Sequence, residues 1–234
     1  MDTDELSSNR IVGAILAGIV EARHTYAAWT GNNGYFAWAP EYLMTVSVAQ
    51  AVWDWCTPLT VWPEFRLGDA VRDSGAPPCG QPVPGRLDGN RRADLLIYRG
   101  GSRPHAVVEI KRNVGGWSRI AADVDRMRSL VSASGSSFEL GVVAFNCTYM
   151  AHAGERERAV LQDRLLRMAD TADDVCQPGW RCRLSCGGIN HDGHEYWSVA
   201  AVVMERSDSD PALLAENTRY STCESASRQV PSPP

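Results

Sequence analysis

The chain has 234 residues, 44% of them hydrophobic and 22% charged, and a formal net charge of −5. This fits one soluble globular domain with a full core, and the acidic balance excludes a generic polyanion-binding surface while leaving room for a local basic cleft. The seven cysteines are an odd number, spread from Cys56 to Cys223, so they do not read as a secreted disulfide framework; reduced thiols in a cytoplasmic protein are expected.

Residues 5–29 read as a helix, with Ser7, Ser8 or Asn9 as its cap. Its apolar run, Ile11 to Val20, is too short to span a bilayer. The acidic flank (Asp2, Asp4, Glu5) has the wrong sign for a signal peptide, so the run is predicted to be a buried helix face. Gly31-Asn32-Asn33-Gly34 breaks the helix. Pro40 opens a second helix from Glu41 to about Trp55, stopped at Thr57-Pro58, with Leu43, Val46, Ala49, Gln50 and Trp53 as its expected core stripe. Trp29, Trp38, Trp53, Trp55 and Trp62 crowd this region; core packing of the two helices is the favoured use for them, base stacking the other.

Val61 to Leu67 is a short strand candidate with Glu64 exposed, and the Gly- and Pro-rich residues 73–90 form a surface loop. Residues 92–99 and 104–112 are strands joined by Gly100-Gly101-Ser102-Arg103 as a hairpin. Residues 117–133 form an amphipathic helix with Ile120, Val124, Met127, Leu130 and Val131 inward. Arg126 and Arg128, mixed with Asp123 and Asp125, read as its salt-bridged outer face. Phe138 to Asn146 is an apolar strand, Gly154 to about Asp170 a charged helix, and residues 180–187 and 195–204 a final hairpin around Asn190-His191-Asp192-Gly193. From Ser207 the chain is polar and Pro-rich and is predicted to be disordered. Residues 1–206 are thus expected to make a single α/β domain, a central mixed sheet flanked by helices, with 207–234 as a tail.

Lys111 is the only lysine among 23 basic residues. A lone lysine in a chain that otherwise uses arginine suggests a place where a compact charge on a flexible stem is needed and a planar guanidinium will not serve. It ends the apolar run Val107-Val108-Glu109-Ile110-Lys111, and strand alternation puts it on the same face as Glu109. Asp94 interrupts the preceding run, Ala93-Asp94-Leu95-Leu96-Ile97-Tyr98. Carboxylates in such runs are costly without a partner or a metal. An Asp, a Glu and a Lys on adjacent strands suit a divalent-metal site for cutting phosphodiesters. Asp94 and Glu109 would each offer a carboxylate oxygen to Mg²⁺, and the Ile110 carbonyl a third.

These residues resemble the PD-(D/E)xK nuclease superfamily. Asp94 lies on the second strand and Glu109-Ile110-Lys111 on the third, and the order helix–strand–strand–strand–helix–strand over 41–146 is similar to that superfamily's. Ala93 stands where the motif name has proline, and Asp88, in the loop, is a rival for the first acidic position. The resemblance implies a restriction-endonuclease-like three-layer fold and a Mg²⁺-dependent nuclease, with Mn²⁺ substituting, of the restriction, repair or phage-defence type. Asp94, Glu109, Lys111 and Glu41 would be catalytic. Glu41, on the preceding helix, matches an extra acidic residue of many members and would bind metal directly or through water; a helix-dipole role is its other reading. Arg86, Arg91, Arg92, Arg112 and Arg119 would meet nucleic-acid phosphates around the site. DNA is the favoured substrate, and double-strand cleavage would call for a homodimer. The alternatives are a non-catalytic nucleic-acid- or protein-binding module on the same fold, or an RNA-directed or exonucleolytic enzyme.

Cys182, Cys186, His191 and His194 carry a hint of zinc, but their spacing matches no standard site, and two cysteines on one strand face read more simply as core residues.

Overall fold

The runs near residues 95–98, 106–110 and 140–147 are apolar at consecutive positions. A strand built from such a run has two faces to bury, so helices must cover the sheet on both sides. The computed structural model describes residues 8–76, 89–100, 103–150, 155–175, 179–192 and 195–206, and it has this layered arrangement. Helix α1 (Ser8–Trp29) and helix α2 (Glu41–Trp55) lead into strand β1 (Leu59–Arg66) and the short helix α3 (Leu67–Asp73). Strands β2 (Arg92–Arg99) and β3 (Pro104–Lys111) follow, then α4 (Ala121–Val131), β4 (Leu140–Met150) and α5 (Glu155–Asp174). Strands β5 (Trp180–Cys186), β6 (Asn190–His191) and β7 (Glu195–Arg206) finish the described chain.

The sheet runs β1-β2-β3-β4-β7-β5, with β6 paired to β7. The β3–β4 pair is parallel and the other pairs are antiparallel. The sheet is therefore mixed and mostly antiparallel. One core layer packs α1 and α2 on Leu95, Ile97, Val108, Ile110 and Val142; the other packs α3, α4 and α5 on Leu96, Val107, Val143 and Phe145. Among the described residues no helix is long and apolar enough to cross a membrane, and Ile11, Ile15 and Ile19 are fully buried in the α1 layer.

Three expectations need correction. Leu67 ends no strand but opens α3, which runs to Asp73, the first residue of the expected loop. The residues 77–88 of that loop, the start of the predicted first helix and the tail 207–234 lie outside the described residues. In α2 the buried side chains are Met44, Thr45, Val48 and Val52, whereas Val46, Gln50 and Trp53 are exposed. Apolar residues surround α2 on most sides, so periodicity does not determine its rotation about its axis; the neighbouring helix does. The tryptophans are the third correction. Trp29, Trp38, Trp53 and Trp62 are all more than half exposed, and only Trp55 packs partly against the core.

The rotation of α2 is set at Gly18. A Cβ added there would stand 2.5 Å from the Val48 Cα and 2.8 Å from the Ser47 carbonyl oxygen, so the backbones of α1 and α2 touch. Alanine in mid-helix ordinarily gains about 1 kcal/mol over glycine. Here that gain is expected to be outweighed, because backbone cannot rotate away as a side-chain tip can. Gly18→Ala should lower the urea-unfolding free energy by about 1–3 kcal/mol; a variant as stable as the parent would mean that the helices can part at no cost.

Candidate active site

The β2–β3 register pairs Leu95 with Val108 and Leu96 with Val107. One step further along this antiparallel ladder, Asp94 faces Glu109. Both point to the α4 side of the sheet, as Leu96 and Val107 do. The strand pattern thus brings the Asp of one run and the Glu of the other to a single spot at the β3 C-terminal end.

Glu109 is 5% exposed, yet two cations share one of its oxygens. Lys111 Nζ donates to Glu109 Oε1 at 2.6 Å, and Arg126 Nη2 lies 2.9 Å from the same oxygen. Arg126 Nη2 also donates to Asp123 Oδ1 at 2.6 Å. The other Glu109 oxygen, Oε2, is buried with no hydrogen-bond partner among the described residues. Asp94 Oδ2 accepts the Ile110 N–H at 2.6 Å. Burial pushes the Asp94 carboxyl up, the Glu109 charge pushes it further, and the Ile110 N–H and Lys111 pull it back; with Glu41 adding to the rise, its pKa stands at about 7. Burial by itself would lower the Lys111 pKa, but the Glu109 carboxylate outweighs it, helped by Asp123 and Asp94, and the net shift is upward. Lys111 is accordingly an ammonium at neutral pH.

Glu41 is the first residue of α2 and approaches from the other side of the sheet. Its Oε2 accepts the Arg112 N–H at 3.1 Å, so it clasps the end of β3 and still acts electrostatically on Asp94. Asp94, Glu109, Lys111 and Glu41 are therefore brought together. Arg91, Arg92, Arg112 and Arg119 are all exposed, and none makes an ion pair with a described residue. Arg91 and Arg92 lie at the β2 end that carries Asp94, and Arg112 follows Lys111 directly. Arg86 and the rival Asp88 lie outside the described residues.

Arg126 is the site residue that the sequence pattern conceals. That pattern places it on a solvated helix face, but it is 7% exposed, wedged between Glu109 and Asp123. Its position four residues before Leu130 puts it at the edge of the apolar stripe, a signal too weak to separate it from Arg128. Arg128 does pair on the outer face, with Asp125 at 2.6 Å. Two asparagines behind the site carry no sequence signal either. Asn146, fully buried on β4, accepts the Asn113 N–H on its side-chain oxygen at 2.9 Å and the Val114 N–H on its backbone oxygen at 2.8 Å. This holds the chain just after Lys111, where Asn113 takes a φ of +49°.

Among the described residues no three His, Cys, Asp or Glu side chains gather as a metal-binding group. Cys182 is buried in the core, Cys186 packs against it, and His191 stacks on Tyr196 with ring centroids 4.4 Å apart; His194 lies outside the described residues. The Asp94 cluster is a different case. Mg²⁺ keeps several waters and takes only one or two protein carboxylates. Two mutually repelling carboxylates, one with an unpartnered buried oxygen, have the donor chemistry for such an ion. Comparison with family models, with curated proteins and with solved structures finds no match to this chain.

Proposed function

We propose that this chain is a Mg²⁺-dependent nuclease of restriction-endonuclease-like fold that hydrolyses phosphodiester bonds, with DNA the favoured substrate. The observation that carries this reading is the Asp94–Glu109 pair: two carboxylates, one buried and one largely buried, held side by side next to the only lysine. Such a pair costs stability in the absence of a cation, and functional sites are where that cost is met. The element order supports the fold assignment, since α2, β1, β2, β3, α4 and β4 follow in the sequence that the superfamily resemblance implies, with α3 inserted after β1.

Asp94 and Glu109, with the Ile110 carbonyl, would hold the metal, and Glu41 would assist. When bound, Mg²⁺ supplies Lewis acidity to the phosphate and a water of lowered pKa. Lys111, already protonated, cannot take the proton from an attacking water; it stabilises the negative charge that builds on the phosphate oxygens. Arg126 is too buried to meet substrate and serves to orient Glu109. Arg91, Arg92, Arg112 and Arg119 would engage flanking phosphates. Cutting both strands of a duplex would take two copies of the site, hence a homodimer.

The test is cleavage of supercoiled plasmid, linear duplex, single-stranded DNA and RNA with Mg²⁺, Mn²⁺ or EDTA. Cutting should require the metal and fall by a factor of about 100 or more in Lys111→Met. Cutting that persists in EDTA or in the variant would place the active site elsewhere. Binding without cutting on every substrate would favour the non-catalytic module.

A further inference from the structure

Beside the catalytic cluster, at the end of β4, lies a cleft of about 580 Å³ lined by Ala37, Trp38, Asn113, Thr148, Tyr149, Met150 and Glu157. It adjoins the cluster through the chain itself: Asn113 is two residues beyond Lys111, and Trp38 three residues before Glu41. Its volume falls within the ~300–1,000 Å³ of small-molecule sites. Its walls pair large apolar surfaces with a few polar groups. Trp38 is 61% exposed, yet it is not loosely placed, because the Tyr35 ring meets it edge-on with centroids 4.7 Å apart. An exposed indole braced from the side is a stacking surface rather than a packing residue. Tyr149 and Met150 line the same cleft, with the Arg164 guanidinium 5.8 Å from the Tyr149 ring centroid.

The polar groups indicate what would lie against that indole. Glu157 Oε2 is buried and has no hydrogen-bond partner among the described residues, although the residue lines the cleft. A carboxylate is an acceptor only, so it calls for a donor. Asn113 has its side-chain oxygen engaged by the Thr148 hydroxyl at 3.0 Å, which leaves its amide NH₂ as the group to offer. A flat ligand that stacks on indole, presents an N–H donor to Glu157 and an acceptor to Asn113, and arrives beside a phosphodiester-cutting centre is a nucleobase, since each of the bases carries an N–H next to a ring or carbonyl acceptor.

The geometry points to a binding site for one unpaired nucleobase, next to the position of the cleaved phosphate. The inference rests on the nuclease reading for the nature of the ligand, but not for its test. The protein then handles a nucleotide lifted out of a duplex or already single-stranded, with Trp38 as the stacking platform and Glu157 as the acceptor for an N–H on the edge of the base.

The test is binding in EDTA, where no cutting interferes. Fluorescently labelled dC, dA and dT 12-mers, and the free nucleoside monophosphates as competitors, are titrated against the full chain. All three strands should bind more tightly than a 12-mer of abasic sites. Trp38→Ala should weaken them about tenfold, in keeping with the loss of one stacked base, and Trp38→Phe should recover most of that. Glu157→Leu should weaken all three strands, because it removes the acceptor for the base N–H. Trp38 is exposed, so its variants should melt as the parent does. Competition by free monophosphates would mean that the base and one phosphate suffice; competition by strands alone would mean that flanking phosphates contribute, and either agrees with the site. Unchanged binding in Trp38→Ala or in Glu157→Leu, or abasic strands bound as tightly as the others, would overturn it. Base-dependent binding together with a failure to cut any substrate would sink the nuclease reading and leave this site standing; metal-dependent cutting with indifferent cleft variants would do the reverse.

Discussion

Asp94→Asn is expected to make the metal-free protein more stable at pH 8 while abolishing cleavage. The Asp94 carboxyl titrates at about 7 in the fold, against an ordinary 3.8. The sign follows from which state holds the proton. Below pH 4 the group is protonated both folded and unfolded, and it contributes nothing. Between 4 and 7 the unfolded chain loses the proton while the fold retains it, so stability falls as pH rises and levels off above about 7. At about 1.4 kcal/mol per unit, the cost at pH 8 reaches up to about 4 kcal/mol. Asparagine keeps an oxygen for the Ile110 N–H and removes the charge that Glu109 and Glu41 repel. Thermal melts in EDTA should therefore show a gain for the variant at pH 8 and almost none at pH 4. Mg²⁺ should raise the melting temperature of the parent and leave the variant where it is. Parent cleavage should climb with pH through about 7, as the ionised form becomes available to the metal. A stabilisation equal at both pH values would show that burial of the charge is not what the substitution relieves.

Arg126→Met and Lys111→Met should separate holding the site from doing its chemistry. Both cations touch Glu109 Oε1, but they differ in exposure. The Arg126 side chain is 7% exposed and the Lys111 side chain 25%. Removing Arg126 takes from Asp123 its ion-pair partner and leaves Glu109 with Lys111 alone in a nearly dry site, which costs about 3 kcal/mol, the lower end for a broken buried pair. Removing Lys111 leaves Glu109 its arginine, and the vacated position can admit water. Urea unfolding should thus find Arg126→Met the less stable of the two, and Arg126→Met combined with Asp123→Asn partly restored, because the carboxylate left without its partner is gone. Lys111→Met should be near the parent in stability and lack cleavage. An Arg126→Met protein as stable as the parent but inactive would instead make Arg126 a group that acts on substrate.

Much of this site is legible along the chain because strands report themselves locally. A charged residue inside an apolar run stands out at once, and the strand period of two is enough to put Glu109 and Lys111 on one face. The hairpin between β2 and β3 then leaves little freedom for Asp94, since a short connection sets the register. Arg126 is hidden for the opposite reason. On a helix, a partly buried arginine and a solvated one share the same local pattern, and only the approach of β3 reveals that a carboxylate waits beneath. The cleft is hidden too: Trp38, Asn113 and Glu157 come from three distant segments, and no spacing links them.

What the sequence determined by itself is the alternation of elements, their layered α/β class and the Asp-Glu-Lys constellation, all carried by near-neighbour patterns of apolar and charged residues. What only the tertiary structure decided is the rotation of α2, the exposure of the tryptophans, the burial of Arg126 and the cleft beside the site. Each of these depends on which surfaces of separate elements meet. The Gly18 contact shows the physical reason: a helix apolar on most sides has several faces it could bury, and the one it buries is the one against which another backbone can close.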